Sequence, residues 1–165
     1  MSFDKILAAV LKTEGGYVNH PADRGGATNM GITQQTYAEF LAASGRPWAD
    51  VRGLSMAEAS AIYRKHYWQP ARCDDLPERV RFIHFDAAVN HGTGRAAKML
   101  QAAAWVDQDG KIGPATLAAV RAMDAELLLA RYIAARYKFY GQIINRDRSQ
   151  LAFIAGWMNR MAEFA

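Results

Sequence analysis

The sequence has 165 residues, a mass of 18.3 kDa and an apolar fraction of 51%, enough for one domain with a sizeable core. No apolar run approaches the roughly 18 residues a membrane span needs. Cys73 is the only cysteine, which excludes an intramolecular disulfide and a cysteine-based zinc cluster. A formal charge of +4 and a pI near 9.3 suit an acidic polymer as partner, or simply solubility, but the basic residues are scattered and do not form a nucleic-acid patch.

The opening stretch, MSFDKILAAVLKTEGG, lacks a basic start and is interrupted by Asp4, Lys5 and Lys12. It therefore reads as a helix rather than a signal peptide, and the expectation is synthesis in the cytoplasm. Ser2 is a suitable N-cap. Phe3, Ile6, Leu7, Val10 and Leu11 then recur with helical spacing, and the glycines at 15 and 16 stop the helix. Residues 17 to 33 are glycine-rich and irregular, with a short hairpin expected around Thr28 to Thr33.

Thr33 then caps a helix carrying Tyr37, Phe40 and Leu41, which ends at Gly45. Ser55 and Glu58 have capping-box spacing and open a helix bearing Ile62, Tyr63 and Tyr67, limited by Pro70. A strongly apolar helix follows, broken near Gly92 and Gly94. A further helix runs from Ala96 to Trp105, and Pro114 starts the next after the DQDG turn. A long helix over 124–145 and a last one through FIAGWMNRM complete a mainly α chain, with the glycine break near 92–94 as its one seam.

Glu14 extends the apolar stripe of the first helix and sits in its last turn, at the negative end of the dipole. Partial burial and that dipole both disfavour the carboxylate, as a general acid requires. The plainer alternative is a solvated glutamate at a frayed helix end. Asp23 supplies a second carboxylate, with eight residues between it and Glu14, either as the partner in glycoside cleavage or as a turn residue bonding its own backbone. Thr28 either holds a water or bonds within a hairpin. Tyr17, Gln34, Tyr63, Trp68, Asn90 and His91 are candidate substrate contacts. Aromatics at helical spacing are more often core, however, and Asn90 equally fits a C-terminal cap.

The dispersed histidines give no HExxH pattern, and DQDG lacks the later ligands of a calcium loop, so no metal or cofactor is expected. The acidic neighbours Asp74 and Asp75 make Cys73 a poor nucleophile.

In EGGYVNHPADRGGATNMGIT at 14–33, YWQPARCDDLP at 67–77 and FDAAVNHG at 85–92, the sequence resembles glycoside hydrolase family 108, the N-acetylmuramidases of bacteria and phages. AAAWVDQDGKIGPATLAAV at 102–120 is similar to the helical peptidoglycan-binding segment that accompanies them. The resemblance implies a lysozyme-like helical fold with a short irregular or β-hairpin segment after the first helix. It implies a catalytic lobe over 1–92 and a peptidoglycan-binding lobe over 93–165, packed as one compact unit. Glu14 matches the family's catalytic acid; Asp23 and Thr28 are expected to assist it by their similarity to phage-type lysozymes.

The order Glu, Asp, Thr is also similar to phage-type lysozymes, although Thr28 lies one residue nearer Asp23 than the corresponding threonine does there. The implied substrate is the glycan strand of peptidoglycan, acted on in the cell wall (periplasm) after release, as in an endolysin aided by a holin-type pore. The protein is expected as a monomer without stable membrane insertion.

Overall fold

The computed structural model describes residues 1–14, 16–19 and 26–164, the side chains of Thr13 and Glu14 excepted. Eight α-helices and one two-stranded antiparallel sheet are found among the described residues, the helical fold with a small hairpin that the sequence implies. By packing, the chain forms two compact units, residues 2–66 and residues 67–165 with Met1.

In the first unit, helix α1 (Phe3–Glu14) buries Phe3, Ile6, Leu7 and Val10, the stripe expected from their spacing. It packs on helix α3 (Met56–Tyr63), where the Arg64 guanidinium lies over the Phe3 ring at 4.0 Å. Strands β1 (Thr28–Asn29) and β2 (Ile32–Thr33) pair Thr28 with Thr33 and Asn29 with Ile32.

The two-residue turn between the strands places Met30 at φ 49° and Gly31 at φ 72°, both left-handed, as a primed hairpin turn requires. Glycine adopts this freely, but methionine pays a steric penalty. The buried Tyr63 hydroxyl holds Met30 there by donating to its carbonyl at 2.9 Å.

Thr33 caps helix α2 (Gln34–Ala43) by accepting from the Thr36 N–H. Ser55 and Glu58 form the full capping box of α3. Glu58 also accepts from the Tyr37 hydroxyl and pairs with Arg46. The Ser55 backbone and hydroxyl bonds, followed by Arg46 and Tyr37, hold its carboxyl down to about 2. One side chain thus joins both helices and the loop between them.

In the second unit, helix α4 (Glu78–His91) is buried around most of its circumference, from Val80 through Ile83, Phe85 and Ala87 to Ala88. It is enclosed by helices α5 (Thr93–Ala103) and α7 (Ala125–Arg146), which pack on it and on each other. Helix α6 (Pro114–Ala122) starts with Pro114 in its first turn. Helix α8 (Ile154–Ala162) follows a 3₁₀ segment, Arg148–Phe153. Gly92, at φ 81°, caps α4; Asn90 stays inside that helix and returns its amide to the Asp86 carbonyl at 2.7 Å, so it is not the cap.

Two buried polar clusters fix this unit. Asp86 lies between Arg136 at 2.6 Å and Arg160 at 2.7 Å, tying α4 to α7 and α8. His84 is fully buried, with Nε2 facing the Ala71 carbonyl at 3.0 Å and Nδ1 facing the Tyr132 hydroxyl at 2.9 Å. A carbonyl only accepts, so Nε2 carries the proton; the Tyr132 hydroxyl, which also lies 3.1 Å from the Ala96 carbonyl, has a single proton for that carbonyl and Nδ1 together.

Cys73 is buried and its thiol is pushed far up, mainly by burial and then by Asp74. Charge neighbours alone were the expected cause, yet desolvation is the larger one.

Candidate active site

The site is built on the first unit. Helix α1 ends at Glu14, so its unpaired carbonyls and negative pole fall at that residue. Gly16 has open space where a side chain would stand. Val18 and Thr28 then pair as an antiparallel bridge: Val18 N–H donates to Thr28 O at 2.9 Å, and Thr28 N–H donates to Val18 O at 2.8 Å. Glu14 and Val18 are four residues apart, so their Cα atoms are at most about 14 Å apart. The bridge therefore sets Thr28 beside the segment that leaves α1. Asp23 lies outside the described residues, as does the side chain of Glu14.

A polar network fixes the other side of this frame. The 3₁₀ turn Val51–Gly53 is gripped from both ends. The Gln34 amide donates to Ala49 O at 2.9 Å and accepts from Val51 N–H at 2.8 Å. The Asn29 amide donates to Val51 O at 3.1 Å and to Arg52 O at 3.4 Å. Arg52, so placed, covers the Tyr17 ring at 4.7 Å. Tyr17 is 38% exposed, so its ring remains partly open beside Gly16 and Val18.

The nine candidate residues separate into groups. Thr28 and Tyr17 sit on the frame with partial exposure, and Gln34 belongs to it through an amide whose donor and acceptor are both engaged with backbone. Tyr63 and Trp68, each 1% exposed, offer no ring face to a sugar. Tyr63 anchors the hairpin turn, and Trp68 packs edge-on to Phe85 at 5.3 Å.

Asn90 and His91 belong to the second unit. His91 packs edge-on to Phe139 and Tyr140, and burial followed by the Arg136 charge pushes its pKa down to about 4. It is therefore neutral at ordinary pH.

Sequence reasoning did not find Asn29, Met30 or Arg52. The hairpin over Thr28 to Thr33 was expected, but its central pair is Met30-Gly31, which is not one of the favoured turn dipeptides. The Arg52–Tyr17 contact spans too much sequence for any local pattern to show it. Among the described residues, no group of His, Cys, Asp and Glu is arranged to hold a metal, and no helix is long and apolar enough to cross a membrane.

The sequence family described as Glycosyl hydrolase 108 matches residues 7–92, and the one described as Predicted Peptidoglycan domain matches 95–162. The two matches meet at the Gly92–Gly94 break, whereas the packing divides the chain between His66 and Tyr67. A solved structure, "Structure of Brucella abortus SagA", is 41% identical, covers 98% of this chain and 90% of its own, and superposes with a TM-score of 0.78. No curated protein matches significantly. A glycosyl hydrolase region followed by a peptidoglycan region makes this a peptidoglycan-acting glycosidase. The chain belongs to glycoside hydrolase family 108.

Proposed function

We propose that the enzyme is an N-acetylmuramidase of lysozyme type, cutting the β-1,4 bond between N-acetylmuramic acid and N-acetylglucosamine in the cell wall. The observation that carries this reading is the frame itself: α1 ends at Glu14, and the Val18–Thr28 bridge closes the chain beside that end. The negative helix pole favours a protonated carboxyl, which suits Glu14 to protonate the leaving glycosidic oxygen. Asp23 stabilises the oxocarbenium-like centre or positions water, assisted by Thr28. Tyr17, partly open beside this frame, lies against the sugar.

The test is digestion of purified peptidoglycan followed by mass spectrometry of the products. Wild-type protein should release fragments ending in reducing N-acetylmuramic acid. Glu14→Gln, which keeps the shape and removes the proton, should lower the rate by roughly 10²-fold or more. Reducing N-acetylglucosamine ends would reassign the bond. Undiminished activity in the variant would remove Glu14 from its role.

A further inference from the structure

A cavity of about 480 Å³ lies between α5 and α7, wholly within the second unit. Arg95 and Lys98 reach it from one face of α5, and Arg131 and Lys138 from one face of α7. No acidic side chain lines it, and none of the four cations forms an ion pair with a described residue. The nearby Asp109 carboxylate accepts from Gln101 at 2.7 Å and from the Lys111 N–H at 2.8 Å and offsets part of the Lys98 charge without entering the cavity lining.

Two of the cations are fixed. The Arg95 guanidinium lies over Phe139 at 5.0 Å, and that of Arg131 lies over Trp105 at 3.3 Å while bonding the carbonyls of Ala102 and Ala103. Lys98 and Lys138 are exposed. Four like charges around one groove repel each other, and a polyanionic ligand relieves that repulsion.

We propose that this groove binds the carboxylate-bearing stem peptides of peptidoglycan, so that the second unit reads the peptide rather than the glycan. The inference rests on peptidoglycan being the substrate. Carboxylates suit the fixed Arg95 guanidinium and the one Arg131 Nη not bonded to backbone, with mobile ammonium groups beside them. The apolar floor of Met99, Ala135 and Phe139 accommodates the short aliphatic parts between those carboxylates. A nucleic-acid strand is the competing polyanion: Arg95 covers Phe139, but Trp105 is 76% exposed with Arg131 over one face, so the polyphosphate probe below tests that alternative.

The experiment compares full-length wild type with the double variant Lys98→Gln/Lys138→Gln by co-sedimentation in the cold. The probes are intact sacculi, sacculi stripped of stem peptides by an amidase, and inorganic polyphosphate. Wild type should bind intact sacculi about tenfold more tightly than stripped ones, and the variant should lose most of that difference. Its melting temperature should be unchanged or higher, since repulsion is relieved, and its cleavage of stem-free glycan should be unchanged.

Equal binding of wild type to both walls overturns the proposal. So does an unaltered preference in the variant, or a loss confined to polyphosphate. A wild type that binds intact wall preferentially but cleaves neither substrate would instead sink the muramidase reading and leave the groove standing.

Discussion

Val18 and Thr28 exchange both backbone hydrogen bonds, at 2.9 and 2.8 Å, and so tie the strand leaving helix α1 to the first strand of the hairpin. Thr28 pairs on its other side with Thr33, the N-cap of α2. Three successive pieces of chain are thereby registered through backbone alone, and the position of Thr28 follows from the hairpin rather than from its own side chain. Whatever disturbs the hairpin should disturb the end of α1 that carries Glu14.

The hairpin turn gives the first prediction. Tyr63→Phe removes the hydroxyl that holds the Met30 carbonyl and should cost about 1 kcal/mol in urea unfolding. Met30→Asn places a residue tolerant of the left-handed conformation at φ 49° and should stabilise by roughly 0.5 kcal/mol. A stable Tyr63→Phe protein with impaired binding of short glycans and no change in stability would instead mark Tyr63 as a sugar contact.

Gln34 separates support from recognition. Its amide uses both ends on the Ala49–Val51 backbone. Gln34→Ala should therefore destabilise the fold by about 1 to 3 kcal/mol. Gln34→Glu should also destabilise it, because a carboxylate cannot donate to the Ala49 carbonyl. Chemical denaturation and hydrolysis rates measured together decide the matter: a raised KM with unaltered stability would contradict the supporting role.

The acid limb of stability should have two parts. His84 is held neutral, pushed down to about 4 mainly by burial, and His91 likewise. The unfolded chain takes up protons near 6.5, so stability should fall as pH drops from about 6.5 to 4 and then level off for these groups. Glu58, held down to about 2, contributes stability that is lost between about 4.5 and 2. Melting curves across this range should show both slopes, and His84→Asn should flatten the upper one even if it lowers the melting temperature throughout.

Asp86 answers for the second unit. It is buried between Arg136 and Arg160, so Asp86→Asn leaves buried positive charge without its counter-charge and should cost about 3 to 5 kcal/mol. Calorimetry should show the loss, together with greater protease sensitivity in α8, which Arg160 ties to α4. A variant as stable as wild type would mean the arginines find other partners.

What the sequence determined by itself is local. The stripe of α1, the caps at Thr33 and Ser55, the proline start of α6 and the stop at Gly92 all follow from residues within one or two turns of each other. Backbone sterics and helix-end hydrogen bonding act at that range, so periodicity and capping chemistry reveal them. The EGGY stretch was distinctive for the same reason.

Only the tertiary structure decided which of the remaining candidates face solvent and which serve the interior. Tyr63 and Trp68 were candidate sugar contacts by residue type alone, yet packing buries both. Gln34 has its amide turned onto backbone, Arg52 is carried onto Tyr17, and four scattered cations gather around one groove between α5 and α7. The physical reason is shared by all of them. Burial, hydrogen-bond satisfaction and the summed field of charges depend on neighbours distant in sequence, and those exist only once the helices have packed.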